Sequence, residues 1–143
     1  MTPPRKAPDP LPQLVRADRL RDLLHDCIAS AAADQALRLG EALQVLASPC
    51  DRPAFEAMVA CAAYESAALL LLGSDCGFLL SRGSGGLCLA SAVFAEGDEE
   101  VTAQAATPAL ALLCAHLAAV LAAEERLSLP VQPDPSGPSV RLH

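Results

Sequence analysis

The sequence predicts an α+β fold, in which N-terminal helices pack with a small three-stranded antiparallel sheet and a buried C-terminal helix. Two observations lead to this prediction. Apolar residues recur at helical spacing through the first half of the chain, and the stretch from Gly77 to Leu127 has the pattern of a short β-meander followed by one very apolar helix. Glycine-containing turns separate the two patterns.

The chain opens with two amphipathic segments. Leu14 to Ala33 and Asp34 to Ala47 both repeat apolar residues at the spacing of a helix, with charged residues on the opposite face. They form either one long helix or two helices with a break between Ser30 and Asp34. Pro49 ends the second segment, because proline disfavours helical backbone in the residue before it.

A further helix is predicted to follow Asp51. Asp51 suits the N-cap and Pro53 suits the first turn, while Phe55 and Met58 begin the apolar face. The next segment, Tyr64 to Leu72, is ambiguous. It continues that helix, forms a second short helix or starts a strand, and its length does not decide among the three.

The β-meander is predicted from alternation and turn residues. Gly73 to Gly77 is a turn, and the first strand opens at Phe78. Gly83 to Gly86 supply the positive φ that a hairpin loop needs. The returning strand, Leu87 to Phe94, is apolar on both faces and is therefore expected to be central. Val101 to Ala105 is predicted to form the third strand.

The last helix is predicted to begin at Thr107, which suits the N-cap, with Pro108 at the first helical position. This helix is apolar nearly all round, which indicates burial on two sides. We expect its bulky stripe to pack on the sheet and its small stripe to pack on a neighbouring helix. The bulky stripe is Leu110, Leu113, Leu117, Val120 and Leu121, and the small stripe is Leu112, His116, Ala119 and Ala123.

Both ends of the chain differ from the middle in composition. Residues 1–12 and 129–143 are rich in proline and lack apolar periodicity. Such runs stay extended and solvated, so we expect disordered tails on either side of a single domain of residues 13–128. A domain of that size can bury about two-thirds of its unfolded surface without disulfides.

Charge and composition argue against nucleic acid as a partner. The net charge is −7, from seventeen acidic and ten basic residues, and the chain has three Phe, one Tyr and no Trp. Binding to phosphate backbones requires a basic patch, and base stacking requires aromatic side chains. The densest basic run, Arg16, Arg19 and Arg21, alternates with Asp18 and Asp22, which is typical of a solvated helix face.

A membrane span and an oxidising compartment are also disfavoured. Val101 to Ala123 contains no charged residue, but its apolar helical part of about sixteen residues is short for a bilayer, so a core helix is preferred. The six cysteines form no C-x-x-C pair and follow no secretory signal. We therefore expect reduced, mostly buried thiols and a cytoplasmic location.

The stretch from Tyr64 to Ala122 resembles small tailed-phage and prophage proteins built as an α/β/α sandwich. The residues that carry the resemblance are Tyr64-Glu65-Ser66-Ala67-Ala68-Leu69, followed by a strand pair and by Ala106-Thr107-Pro108-Ala109-Leu110-Ala111-Leu112, which runs into Leu113-Cys114-Ala115. The resemblance covers under half of the chain. It implies a fold and a phage or prophage setting, and it transfers no functional residues.

No catalytic, cofactor or metal site is predicted. Cys114 and His116 are two residues apart, so they point to different faces of a helix and cannot readily share a metal. A Cys27–His116 or Cys114–His25 couple would require the two helices to touch. Arg82 to Gly86 lacks the ending of a phosphate-binding loop, and a hairpin turn is preferred.

These observations favour a non-enzymatic interaction or assembly module, whose partner is a second copy of the chain or another protein. The N-terminal helices are expected to supply the dimer interface, because one sheet cannot cover both apolar stripes. Packing of the two helices on each other as an αα-hairpin is the competing arrangement. Other possibilities are a small-ligand or sensory domain with a pocket between sheet and helices and, less favoured, a cysteine-dependent enzyme. The candidate interface residues are Leu20, Leu24, Ile28, Leu39, Leu43 and Leu46.

Overall fold

The computed structural model describes residues 10–94 and 99–128, and it shows the predicted α+β fold. Helices come first, a three-stranded antiparallel sheet follows, and a long C-terminal helix packs against that sheet. The elements are α1 (Pro10–Ala29), a 3-10 turn (Ala32–Asp34), α2 (Gln35–Leu46), α3 (Arg52–Ala60), α4 (Tyr64–Leu72), β1 (Cys76–Arg82), β2 (Cys88–Phe94), β3 (Val101–Ala105) and α5 (Pro108–Ser128).

The start of α1 corrects one predicted boundary. Helical backbone begins at Pro10, inside the segment predicted to be an unstructured tail up to residue 12. Proline is compatible with the first turn of a helix, because the N–H that it lacks would have no intrahelical partner there. The rest of the two predicted tails, residues 1–9 and 129–143, lies outside the described residues.

The two N-terminal segments form two helices, with the break where the sequence allowed one. The Ser30 hydroxyl donates to the carbonyl oxygen of Asp26 at 2.5 Å, and the Asp34 carboxylate accepts from the N–H of Ala31 at 2.9 Å. These short polar side chains bond to backbone groups that a continuous helix would use. Arg38 on α2 donates to the Ser30 hydroxyl at 2.9 Å and so ties α2 to the break.

The ambiguous segment is helical and separate from the helix before it. Asp51 caps α3 by accepting from the N–H of Ala54 at 3.1 Å, as predicted. Ala62 has a φ of 61°, which interrupts the helix before α4 begins. Ala67 and Ala68 on α4 are fully buried, and α4 packs against α5. This packing, which the local sequence does not reveal, determines the conformation of the segment.

The sheet has the order β1-β2-β3, and β2 is central as predicted. Its register places Leu79 opposite Ser91 and Ser91 opposite Thr102. The first strand begins at Cys76, two residues before the predicted opening at Phe78. The hairpin between β1 and β2 turns at Gly86, whose φ of 88° is readily adopted only by glycine.

Helix α5 lies between the sheet and the other helices, and it is the centre of the core. One side contacts the sheet, mainly β2 and β3, and the other contacts α1 and α4. All residues from 109 to 115 are buried, which confirms the predicted burial on two sides. The stretch 108–127 is long and apolar enough to cross a membrane, but 61% of its most apolar part is buried inside the protein.

The two stripes of α5 face the opposite way from the prediction. His116 of the small stripe contacts the ring of Phe94 on β2, whereas Glu124, which follows Leu117 and Leu121 at helical spacing, pairs with Arg16 on α1. The small stripe therefore meets the sheet, and Leu117 and Leu121 of the bulky stripe lie toward α1. The part of the helix-facing side where β2 pairs with β3 explains this arrangement, since most of its residues are small and allow close approach. These residues are Cys88, Ala90, Ala92, Ala103 and Ala105.

Candidate interaction surface

Strand β1 forms an outer edge of the sheet with an open backbone. The N–H of Gly83 donates to the carbonyl oxygen of Leu87 at 2.8 Å. This bond shows which residues of β1 direct their backbone groups toward β2, since every second residue does so. Because hydrogen-bonded residues alternate along the strand, the backbone N–H and C=O groups of Gly77, Leu79 and Ser81 form hydrogen bonds with β2. The backbone N–H and C=O groups of the even-numbered residues from 76 to 82 point away from β2. No strand in the described part of the chain pairs with that edge.

The exposed edge is apolar on both faces of the sheet. Leu79 is 72% exposed on the face away from the helices, and Phe78 and Leu80 are 45% and 41% exposed on the helix-facing side. The latter two remain uncovered because α5 lies across β2 and β3 and reaches little of β1. Soluble proteins usually protect such an edge with lysine, proline or a bulge, and Phe78 to Leu80 contain none of these.

The sheet face away from α5 continues this apolar surface. A shallow groove of about 230 Å³, where that face meets the edge of β1, is lined by Gly77, Phe78, Leu79, Ser91, Val93 and Glu100. The hydroxyls of Ser91 and Thr102 lie 2.8 Å apart and satisfy each other across β2 and β3. Within residues 10–94 and 99–128, the helix that packs broadly on the sheet is α5, on the opposite face.

Opposite charges stand at the two ends of β1. Asp75 immediately precedes the strand, Arg82 is its last residue, and both are exposed. Among the described residues neither side chain forms an ion pair. The strand therefore presents an acidic end, an apolar middle and a basic end, together with a row of unpaired backbone groups.

The interface predicted from sequence falls largely inside the chain. Leu20, Leu39 and Leu43 are buried, Leu24 and Leu46 are partly buried, and Ile28 is about half exposed. These side chains are covered because α1 packs on α5 and on α2. The prediction of a dimer interface counted one sheet as the only cover for these helices. Helix α5, whose burial on two sides was predicted, supplies the second apolar surface in the middle of the protein.

The sequence contained a pattern from which the exposed apolar edge of β1 could have been predicted. Three consecutive apolar residues, Phe78-Leu79-Leu80, occupy the first strand of a meander whose second strand was predicted to be central. The first strand of such a meander is an edge, so these residues combine an unpaired backbone with exposed apolar side chains.

The residues considered for chemistry are placed mainly for packing. Helices α1 and α5 do touch, but Cys27 meets Cys114 there rather than a histidine, and hydrogen bonding with Cys114 and burial together raise the pKa of Cys27. His25 is exposed on α1. The Cys27–His116 and Cys114–His25 couples, which the sequence allowed if these helices touched, are therefore not seen. No group of three or more His, Cys, Asp or Glu side chains able to hold a metal is found in residues 10–94 and 99–128.

His116 is buried against the sheet. Its ring lies 6.0 Å from that of Phe94 at an interplanar angle of 63°, an edge-to-face contact. Burial lowers the pKa of His116 to about 4, so the imidazole is neutral at physiological pH. Among residues 10–94 and 99–128 its Nδ1 atom has no hydrogen-bond partner, and burial is the cause of the shift in its pKa. These contacts are typical of a histidine that is packed in the core.

One groove lies between α5 and the sheet, as the ligand-binding alternative requires, but it is small. Its volume is about 210 Å³, and it is lined by Phe94, Glu99, Val101, Ala119, Ala122, Glu125 and Arg126. Pockets for drug-sized ligands span roughly 300–1,000 Å³. The small side chains of the sheet and of α5 allow close packing and leave little space between these layers.

Comparison of the chain with protein-family models, with curated proteins and with solved structures finds no match in any of the three.

Proposed function

We propose that the protein is a non-enzymatic interaction or assembly module that binds an extended strand at the free edge of β1. The observation that carries the proposal is the exposed run Phe78-Leu79-Leu80 on an outer strand with an open row of backbone groups. Leaving such an edge uncovered invites unspecific aggregation, so a specific partner strand is the arrangement that stabilises it.

The chemistry of β1 defines what it can recognise. Unpaired N–H and C=O groups bind the backbone of any extended segment, and side chains that alternate between the two faces provide selectivity. Leu79 contacts the bound strand on one face, and Phe78 and Leu80 contact it on the other. The partner is therefore expected to be an extended segment with apolar residues on both faces.

Small-ligand binding remains the alternative, and it rests on the groove beside Phe94. That groove is smaller than the usual ligand site, whereas the edge of β1 has the features of a protein-binding surface. The resemblance to tailed-phage proteins, the bacterial or prophage setting and the cytoplasmic location stay sequence-based predictions.

The proposal can be tested by photo-crosslinking in cells. A photoreactive amino acid replaces Leu79 on β1 or, as a matched control, Leu37, which is exposed at 58% on α2. We expect one discrete protein adduct from position 79 and none from position 37. Leu80→Lys should remove the adduct, because a charge at the edge opposes strand pairing. Equal adduct formation from the two positions, or an adduct that survives Leu80→Lys, would contradict the proposal.

A further inference from the structure

We infer that the strand bound at this edge is β1 of a second copy of the chain, paired antiparallel about a two-fold axis through Leu79. This inference rests on the proposed function and specifies its partner. The resulting dimer would join two three-stranded sheets into one continuous six-stranded sheet, with both α5 helices on the same face.

The backbone of β1 suits this pairing. The strand runs from Cys76 to Arg82, so Leu79 is its central residue, and an axis through Leu79 pairs every residue of the strand. Phe78 then lies opposite Leu80 of the second copy, and Cys76 lies opposite Arg82. These even-numbered residues carry the outward-pointing N–H and C=O groups, so each such pair can exchange two hydrogen bonds.

The side chains are self-complementary under the same two-fold axis. Leu79 meets its own counterpart on the face away from α5. On the face that carries α5, Phe78 and Leu80 of the two copies form a cluster of four apolar side chains. A symmetric interface places the same patch on both subunits, and the apolar middle of β1 meets this requirement.

The charges at the strand ends select the antiparallel orientation. Pairing about Leu79 places Arg82 of one copy next to Asp75 of the other, at both ends of the interface. A parallel arrangement would instead bring Asp75 to Asp75 and Arg82 to Arg82. Since neither group has an ion-pair partner among the described residues, each is available to the second copy. Charge complementarity of this kind determines register and partner choice.

The first test measures the mass of the full chain by sedimentation over a concentration series. We expect a shift from 14.8 kDa toward twice that mass as concentration rises. Leu79→Lys should keep the chain monomeric, because it places two ammonium groups on the axis. Leu37→Lys, a matched change at an exposed leucine on α2, should leave the dimer intact.

A charge exchange tests the orientation. Asp75→Arg alone, or Arg82→Asp alone, places like charges at both ends of the interface and should raise the dimer dissociation constant by roughly tenfold. The double variant, Asp75→Arg with Arg82→Asp, restores opposite charges and should recover the wild-type constant. Additive weakening in the double variant would contradict the antiparallel arrangement.

The register is tested by crosslinking. Opposed residues of a non-hydrogen-bonded antiparallel pair have Cα atoms about 4.5 Å apart, within the range of about 4.4–6.8 Å that a disulfide spans. In a chain with the exposed Cys61 and the partly exposed Cys50 replaced by alanine, Leu79→Cys should form an intermolecular disulfide on oxidation, and Leu87→Cys should not.

The outcomes separate this inference from the proposed function. A full chain that stays monomeric at all concentrations, or a dimer that survives Leu79→Lys, overturns the β1–β1 dimer. If the chain is monomeric while photo-crosslinking at position 79 yields an adduct with another protein, the interaction module stands and the second copy is excluded. Loss of a dimer on Ile28→Asp alone would instead locate the interface on α1, as predicted from the sequence.

Discussion

The buried cysteines and the buried histidine lie where burial makes their side chains less reactive. Cys27 and Cys114 meet in the interface between α1 and α5, where hydrogen bonding and burial keep the Cys27 thiol protonated. Desolvation likewise raises the pKa of Cys76. His116 is neutral for the same reason of burial. These side chains therefore act mainly as small packing groups in the core.

The first prediction concerns thiol labelling. Cys61 is exposed and Cys50 is partly exposed, whereas the other four cysteines are buried, and none is in a disulfide. A thiol reagent added to the native protein should modify Cys61 quickly and Cys50 more slowly, because reaction needs an accessible thiolate. Peptide mass spectrometry identifies the labelled sites.

Unfolding in denaturant should make all six thiols reactive, which serves as the positive control. Reducing agent should not change the melting temperature of the protein. A lower melting temperature on reduction would establish a stabilising disulfide and contradict the prediction.

The second prediction concerns the pH dependence of stability. An unperturbed histidine titrates near pH 6.5, and burial lowers the pKa of His116 to about 4. Between these values the unfolded chain binds a proton that the folded chain does not. The free energy of unfolding should therefore fall as the pH drops from 6.5 to 4, by roughly 3 kcal/mol for this residue, and the contribution of His116 should change no further below that window.

Denaturant titrations at several pH values measure this effect. His116→Gln removes the titrating group and should flatten this part of the profile. His25→Gln, at an exposed position on α1, serves as the matched histidine variant. An unchanged profile in His116→Gln would show that another group is responsible.

Helix α5 is the element against which the sheet and most of the other helices pack. Thr107 caps its N-terminus by accepting from the N–H of Leu110 at 3.1 Å, and the same hydroxyl donates to Gln35 on α2 at 2.8 Å. Two acidic residues near the C-terminal end of α5 oppose the helix dipole, but both pair with arginines on α1. Glu124 lies 2.8 Å from Arg16, and Glu125 lies 2.7 Å from Arg21. The charges thus align α1 with α5, although such partly exposed pairs contribute little stability.

The third prediction follows from the central place of α5. Leu113 and Leu117 are fully buried, one helical turn apart. Truncating a buried leucine to alanine costs roughly 2–5 kcal/mol, and domains are typically stable by only about 5–15 kcal/mol. Leu113→Ala combined with Leu117→Ala should therefore give molten or insoluble protein, as measured by thermal unfolding and by solubility.

Leu127→Ala is the matched control, because this leucine lies on the same helix and is 86% exposed. It should melt as the wild type does, and the wild type should be soluble without detergent. Recovery of the wild type only from membranes would overturn the core-helix interpretation of α5.

At the scale of the whole molecule, the helices are all on one side of the sheet in the described part of the chain. The order of layers is sheet, α5, and then α1, α2 and α4, with α3 packed on α4. The buried centre is therefore a helix, and the sheet is peripheral. This asymmetry leaves one sheet face and the edge of β1 open, and these are the surfaces on which the proposed interactions depend.

The fourth prediction concerns the two proline-rich ends. A chain shortened to residues 10–128 should melt within a few degrees of the full chain, because segments without apolar periodicity make few core contacts. Calorimetry of the two forms decides this. A clear loss of stability would show that one of the ends docks on the domain, and separate removal of residues 1–9 and 129–143 would identify which one.

Local patterns in the sequence were sufficient to predict the type and the order of most helices and strands. Asp51 and Thr107 are N-caps because their side chains accept from nearby N–H groups, and the glycines of the β1–β2 hairpin allow its turn. The apolar character of α5 on all sides was sufficient to predict a buried helix. These features depend on neighbours within a few residues, so the sequence alone determines them.

Tertiary packing decided the rest. Tyr64–Leu72 is a helix that packs on α5 and buries Ala67 and Ala68, and the stripes of α5 are oriented by the small side chains on the sheet. The N-terminal leucines are buried because α5 offers them a second apolar surface, which leaves the exposed apolar residues on β1. Each of these outcomes depends on which surfaces meet across long separations in sequence, and hydrophobic periodicity shows that a face is apolar without specifying what covers it.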